Sequence, residues 1–349
     1  MTIPFILLAA LIAFGPGCST PSPRHSTPLT EAQVEALYKA QRRPQVFGMT
    51  DYSGKGEASF AGAHRLHANH LTTAITKGAD RKLPLIEIMS GSPGKVLALL
   101  DTSSADSWCT PEAAVVLGLA PLGPPGYTRK PRHVVDDTKG YLCAASTIRI
   151  EDLYMENVLL FLRGATFPLG GVARDVTDPA PSVVLGSSFI RAFNYVRFDF
   201  TKGEILFSST TDFRIREEAL LASAPMRWVD GALAVEGMID GTPTNIVLDI
   251  AGRYAAGLPG ETGTTLRQFS TGDLVSRKVT ATPLRNLGLT DTPSPRVGLD
   301  MLSRCTLTLD FHRNLVHFER PENAPVVNTS AESSTTAPTI VDLDASAEP

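Results

Sequence analysis

From residue 82 onward the chain is a series of short runs rich in Val, Ile, Leu, Phe and Thr, separated by Gly, Pro, Asn and Asp at intervals suited to strands and turns. The runs predict strands over 85–89, 96–100, 146–150, 157–162, 195–200, 205–208, 232–238, 246–248, 306–311 and 315–318, and together an all-β fold. Helical spacing is confined to the region before them. Thr30 and Gln33 form a capping box, and Val34, Leu37 and Tyr38 supply an apolar stripe that continues to Arg43 ahead of Pro44, so one short helix is expected. His64, His67 and His70 recur at every third residue; on a helix that spacing turns them around the surface, predicting a solvated helix face rather than a metal site.

Residues 3–14 are an apolar run too short to cross a bilayer as a permanent helix, ending in Gly15-Pro16-Gly17-Cys18-Ser19-Thr20. They read as an export signal over residues 1–18, which places the protein in the periplasm or cell envelope. The Cys18 context resembles a bacterial lipoprotein cleavage site, with Cys18 as the lipidated residue and a lipid anchor as the membrane attachment; the other reading is a cleaved signal in which Cys18 is incidental. Residues 19–80 are expected to be a tether and then the N-terminal helical segment, either a pro-segment or a packing addition to the β-rich part of the chain. Residues 321–349 are Ser/Thr/Ala/Pro/Asp-rich, with too few large apolar groups to offset their ordering entropy, so a disordered tail is expected.

Within the β-rich part the pattern occurs twice. Ser90-Gly91-Ser92-Pro93 precedes the apolar run ending in Leu100-Asp101, and Asp240-Gly241-Thr242-Pro243 precedes Ile246-Val247-Leu248-Asp249. Downstream of the first aspartate come Val183-Val184-Leu185-Gly186, Tyr195-Val196-Arg197-Phe198-Asp199 and Gly203-Glu204-Ile205-Leu206-Phe207. Downstream of the second come Val297-Gly298-Leu299, Thr306-Leu307-Thr308-Leu309-Asp310 and Asn314-Leu315-Val316-His317-Phe318. A unit this long is not a solenoid repeat, so it predicts a duplicated domain: a first lobe over 81–212, a second over 224–320, and a linker within 208–228. The repeated aspartates would meet where the lobes face each other, a common place for ligand clefts.

A chain of 349 residues with 43% hydrophobic content can fill two cores of ordinary size. Its formal net charge of -4 offers no basic field for a phosphate backbone, so nucleic acid is not an expected partner. Without Cys18, the cysteines are Cys109, Cys143 and Cys305, which leaves open a Cys109–Cys143 bridge or three buried thiols. No phosphate loop, Cys/His metal spacing or Gly-x-Ser-x-Gly elbow occurs, and neither cofactor nor metal is expected.

Leu100-Asp101-Thr102-Ser103-Ser104-Ala105-Asp106-Ser107-Trp108 resembles the first active-site loop of pepsin-like aspartic peptidases, Asp-Thr-Gly-Ser-Ser-Asn-Leu-Trp. The segment from Leu185 with Ile190-Arg191 is similar to the family's Leu-Gly-Asp-x-Phe-Leu-Arg element, and Ile246-Val247-Leu248-Asp249 with Leu258-Pro259 is similar to the second-lobe loop. The resemblance covers most of 82–320 in order, and implies the bilobal pepsin/retropepsin-like acid protease fold: two related β-barrel lobes with a central cleft. Both aspartates lie in one chain, so a monomer is expected, with a peptide or protein as substrate.

The resemblance further implies that Asp101 and Asp249 are a catalytic pair in which one carboxylate activates a water and the other, protonated, hydrogen-bonds the substrate carbonyl. Thr102, Ser103 and Ser104 would be the supporting residues: Thr102 the bracing hydroxyl, Ser103 in place of the loop glycine, Ser104 the serine that hydrogen-bonds the first aspartate. The second loop departs from the family pattern, because Ile250, Ala251 and Gly252 stand where Thr, Gly and Thr or Ser are usual. Asp249 is therefore either the second catalytic carboxylate or a strand-end polar residue of a degenerate lobe, and the chain either an extracytoplasmic aspartic endopeptidase or an inactive envelope lipoprotein that binds peptides or partners. Asp136-Asp137-Thr138-Lys139-Gly140 has turn chemistry suited to a flap hairpin, with Tyr141 as the flap tyrosine and Tyr127 as the other candidate.

Overall fold

The computed structural model describes residues 32, 48–52, 57–61, 65–67, 70–75, 83–90, 94–121, 128–129, 140–163, 181–260, 263–271, 274–287, 289 and 293–322. Strands β1 (Gly48–Tyr52) and β2 (Glu57–Ala61) pair with each other, and β3 (Arg65–His67) and β4 (His70–Ala74) come next. The first lobe contains β5 (Leu85–Met89), β6 (Lys95–Leu100), β7 (Trp108–Cys109), helix α1 (Pro111–Leu117), β8 (Ala120–Pro121), β9 (Thr128–Arg129), β10 (Gly140–Ile150), β11 (Leu153–Arg163), β12 (Val183–Leu185) and helix α2 (Ser187–Ile190). The hairpin β13 (Tyr195–Asp199) and β14 (Glu204–Ser208) leads out of it. Then come β15 (Leu220–Val229), β16 (Ala232–Ile239), β17 (Thr242–Asp249), β18 (Ala256–Leu258), β19 (Thr264–Thr271), β20 (Leu274–Pro283), β21 (Arg296–Gly298), helix α3 (Leu299–Leu302), β22 (Thr306–Asp310) and β23 (Leu315–Glu319).

The fold is all-β and bilobal. Strands β6-β12-β7-β11-β10-β5 close into a six-stranded barrel, and β17-β21-β18-β20-β19-β16 close into another of the same cyclic order. The pairings match in sense as well: β6–β12 and β7–β11 are parallel, as are β17–β21 and β18–β20, while β7–β12 and β18–β21 are antiparallel. Closure leaves neither barrel an unpaired edge. Residues such as Leu85, Ile86, Leu99, Val235, Ile246 and Phe269 are buried in the core of the lobes. A third sheet, all antiparallel, joins the lobes in the order β4-β14-β13-β22-β23-β15. Its centre is the β13–β22 pairing, where the equivalent strands of the two halves meet, so the duplication shows as a pseudo-twofold.

Every strand expected from the sequence lies within or over an observed one, and 85–89 coincides with β5. The 65–74 stretch differs: His67 and His70 lie on β3 and β4 rather than on a helix, and β4 adds to the edge of the joining sheet through Leu71↔Phe207 and Thr73↔Ile205. Pairing with an open strand edge supplies backbone hydrogen bonds that a solvated helix face would not need. The 208–228 linker also contains structure, since Leu220–Val229 is a strand that pairs first with β23 and then with β16, carrying the chain from the joining sheet into the second barrel. No disulfide links Cys109 and Cys143; Cys109, Cys143 and Cys305 are buried thiols. The expected 30–43 helix (apart from residue 32), Cys18, His64, the 136–139 turn, Tyr127 and the C-terminal tail after residue 322 lie outside the described residues. Among the described residues no helix is long and apolar enough to cross a membrane.

Candidate active site

Each aspartate sits where a strand leaves its barrel. Strand β17 starts at the Asp240-Gly241 turn, whose positive φ values of 47° and 86° suit a two-residue hairpin, and it becomes fully buried over Ile246 to Asp249. Strand β6 is buried over its last three residues before Asp101, and the Asp101 N–H continues the ladder by donating to the Leu185 carbonyl at 3.0 Å. In the second lobe Asp249 stands opposite Gly298 in the parallel ladder. The glycine is required in both copies. A Cβ on Gly186 would lie 2.3 Å from the Asp106 carbonyl oxygen and 2.7 Å from that of Ser104; one on Gly298 would lie 2.2 Å from the Tyr254 carbonyl oxygen and 2.8 Å from that of Gly252. These contacts fall three and five residues beyond each aspartate, so the two loops fold alike. Ser187 N–H donates to Ser104 O, and Leu299 N–H to Gly252 O, each at 2.7 Å.

Thr102 joins the lobes. Its hydroxyl donates to the Leu248 carbonyl oxygen at 2.5 Å and accepts from the Ile250 N–H at 3.4 Å, gripping the residues on both sides of Asp249. Its own carbonyl accepts from the Leu233 N–H of β16 at 2.9 Å and from the Ser187 hydroxyl at 3.0 Å. The brace is one-sided, because the equivalent side chain in the second lobe is Ile250, fully buried and without a polar atom.

Support for the first carboxylate comes from Ser103, whose N–H and hydroxyl both donate to Asp101 Oδ1 at 2.8 Å. Serine in place of the glycine keeps the backbone donor and adds a second. Ser104 does not take the role expected of it: its hydroxyl donates to the Asp106 carbonyl oxygen at 2.8 Å and stabilises the turn of the loop. Tyr141 lies near the start of β10, opposite Leu162 on β11 and Thr128 on β9, half-buried against the core of the first barrel.

The second carboxylate is held by two residues that were not read from the sequence. Tyr254 donates its hydroxyl to Asp249 Oδ2 at 2.6 Å, and Arg296 Nη1 lies 3.3 Å from the same oxygen. Both are buried, with the Arg296 side chain 3% exposed and that of Asp249 6%. The tyrosine ring lies among three glycines: a Cβ would approach it to 2.3 Å from Gly252, 2.8 Å from Gly298 and 3.2 Å from Gly257. A sequence signal for Arg296 exists, because Arg296-Val297-Gly298 stands where the first half has Val184-Leu185-Gly186, and a charge in an otherwise apolar repeat position breaks the local pattern.

Asp101 is close enough to Asp249 to feel its charge. Burial, reinforced by the charge of Asp249, raises Asp101 from 3.8 to about 6, against the lowering pull of the Ser103 hydrogen bonds and of Arg296. Burial and then the Asp249 charge push the Tyr254 hydroxyl well above its ordinary value, so it stays a proton donor. For Arg296, burial opposes the charge, and the facing Asp249, Tyr254 and Asp101 outweigh it. Two cavities of about 800 and 460 Å³ lie elsewhere on the surface. The larger is lined in part by Arg197, Arg216 and Arg313, which pair with Glu319, Glu322 and Asp310 and so already carry their counter-ions.

No protein-family model matches this chain, and no curated protein does.

Proposed function

We propose that the protein is an aspartic endopeptidase acting on extended peptides outside the cytoplasm, in which Asp101 and Asp249 share one proton and activate a water. The observation that carries this reading is the meeting of two pseudo-equivalent aspartates, each at the end of an equivalent barrel strand, across the Thr102 bridge. A pair of carboxylates in a buried setting cannot easily ionise together, which is the condition for one to act as base while the other donates. The ionised member takes a proton from water as its oxygen bonds to the peptide carbonyl carbon, and the protonated member gives its proton to the carbonyl oxygen. The resulting diol then collapses: its C–N bond breaks, the amide nitrogen takes the proton held by the first carboxylate, and a diol hydroxyl returns a proton to the second. Peptide and water become acid and amine, and the pair is restored without a cofactor. Extended peptides suit a site between β-lobes because their backbones can pair as added strands.

The test is cleavage of denatured casein from acid to neutral pH, with and without a statine-type inhibitor, by the wild type and by Asp101→Asn and Asp249→Asn. Inhibitable cleavage lost in both variants supports the reading, and cleavage indifferent to both rejects it. Ile250→Thr with Ala251→Gly is expected to raise the rate by restoring the missing half of the brace. A second reading, a peptide-binding protein that does not cleave, is favoured by the Asp249–Arg296 ion pair, which occupies one oxygen of the second carboxylate. It predicts tight binding of the same statine peptide with no turnover at any pH.

A further inference from the structure

In a symmetric pair of aspartates either side chain can hold the shared proton. Here the anchors differ. Asp101 is anchored at Oδ1 by two neutral donors, both from Ser103, whereas Asp249 is anchored at Oδ2 by the neutral Tyr254 hydroxyl and the cationic Arg296 guanidinium. Each aspartate thus has one oxygen fixed by its own lobe. A buried carboxylate facing a guanidinium is favoured in its ionised form, and the positive charge makes a proton on that side chain unfavourable.

The architecture does not itself call for an arginine here. Val184 fills the equivalent position in the first lobe, fully packed, opposite Trp108, whereas Arg296 lies opposite Gly257. As a structural bridge the pair is poor: the arginine makes a single contact to Asp249 rather than a fork, and its buried Nε has no hydrogen-bond partner among the described residues. Buried ion pairs of this kind are commonly replaceable as a whole by apolar residues without loss of stability, whereas removing one partner alone is destabilising.

We infer that Arg296 and Tyr254 are positioning residues that assign the shared proton, making Asp249 the carboxylate and Asp101 the carboxylic acid of the pair. The inference rests on the reading of the two aspartates as a working pair, and it gives them distinct roles: Asp249 is the base toward water, and Asp101 is the donor to the substrate carbonyl. The charged and titratable groups acting on Asp101 are Asp249 at the end of β17 and Arg296 on β21, with Tyr254 of the loop after β17 interacting with both aspartates. The assignment also implies that cleavage declines as pH rises through the titration of Asp101, and that this limb moves when Arg296 is changed.

The test is a carboxyl ¹³C NMR titration of the full chain from pH 4 to 8, with the Asp101 and Asp249 signals assigned through Asp101→Asn and Asp249→Asn. In the wild type the Asp101 signal is expected to carry the titration near pH 6. In Arg296→Met the midpoint should rise by one unit or more and both carboxyl signals should move together. Arg296→Lys should restore most of the wild-type behaviour. Tyr254→Phe, which leaves the ring among its glycines and removes one oxygen, should raise the midpoint by a smaller step and serves if Arg296→Met does not fold. An unchanged midpoint in folded Arg296→Met or Tyr254→Phe, or a wild-type titration carried by Asp249, overturns the assignment. The signals are read without turnover, so a protein that titrates as expected but cleaves nothing retains the assignment and loses the peptidase reading.

Discussion

Asp101→Asn should change stability in a way that depends on pH, and both size and sign follow from the site. Burial and the facing Asp249 raise Asp101 from 3.8 to about 6 in the folded protein. The native state therefore binds this proton more tightly than the unfolded chain does. The stabilisation is complete below 3.8 and is lost as pH rises through about 6. A shift of roughly two units at about 1.4 kcal/mol per unit gives ~3 kcal/mol between the two limits. Asparagine does not titrate, and its side-chain oxygen can still accept from the Ser103 N–H and hydroxyl. The unfolded carboxyl is already partly ionised at pH 4, so the stability of the variant relative to the wild type should rise by roughly 2–2.5 kcal/mol from pH 4 to pH 7.

Urea unfolding at half-unit pH steps, monitored by tryptophan fluorescence, measures this directly. His317 titrates in the opposite sense: burial lowers it, so its contribution is present above its ordinary 6.5 and lost as pH falls. That contribution is common to both proteins and cancels in their difference. A wild-type to variant difference that stays flat across the range would refute the argument, because it would mean that the folded protein does not hold the Asp101 proton more tightly than the unfolded chain.

Other consequences can be read from the same contacts. Thr102→Val keeps the shape but leaves the Leu248 carbonyl and Ile250 N–H without their shared partner, and should lower unfolding free energy by ~1–3 kcal/mol in urea titrations. Gly252→Ala places a methyl 2.3 Å from the Tyr254 ring and 2.8 Å from Asp249 Oδ2, and should cost about 1–3 kcal/mol, whereas Gly263→Ala, whose nearest neighbour is 3.4 Å away, should cost less. Burial raises Cys143 and Cys305 to about 12 and Cys109 well above its usual range, so iodoacetamide at pH 8 should alkylate these three only after denaturation, as read by peptide mapping.

The strands with apolar residues at every other position or more were legible in the sequence, because β5, β6, β13, β22 and β23 are buried along most of their length and keep that spacing between their polar residues. Those with mixed exposure were not. Strand β19 buries only Leu266 and its last three residues, β20 is interrupted by exposed Arg277 and Lys278, and β15 alternates around Pro225, so none carries a continuous apolar run. The histidine stretch differs from its sequence expectation for a related reason: it contains few apolar residues, and its strand conformation is imposed by β11 at His67 and by β14 at His70, partners more than eighty residues away. At the site, the aspartates were legible because each ends a repeated string, and Thr102 through the resemblance carried by the loop that follows Asp101. Tyr254 and Arg296 were not, since their significance lies in one carboxylate oxygen that the fold brings to both.

The pseudo-twofold also discriminates between decay and replacement in the second lobe. Compared with the first, the second lobe has Ile250 for Thr102, Ala251 for Ser103, Gly252 for Ser104, Arg296 for Val184, and Gly257 opposite the arginine where Trp108 lies opposite the valine. A buried arginine left uncompensated would cost several kcal/mol. These changes instead converge on Asp249. Gly252, Gly257 and Gly298 surround the Tyr254 ring, and the Tyr254 and Arg296 side chains both end at Oδ2. The hydroxyl and loop donors lost from residues 250–252 are thus matched by donors arriving from residues 254 and 296. What has changed is the charge of the support, from neutral donors around Asp101 to a neutral and a cationic donor around Asp249, and a pair supported in that way has a fixed order of ionisation.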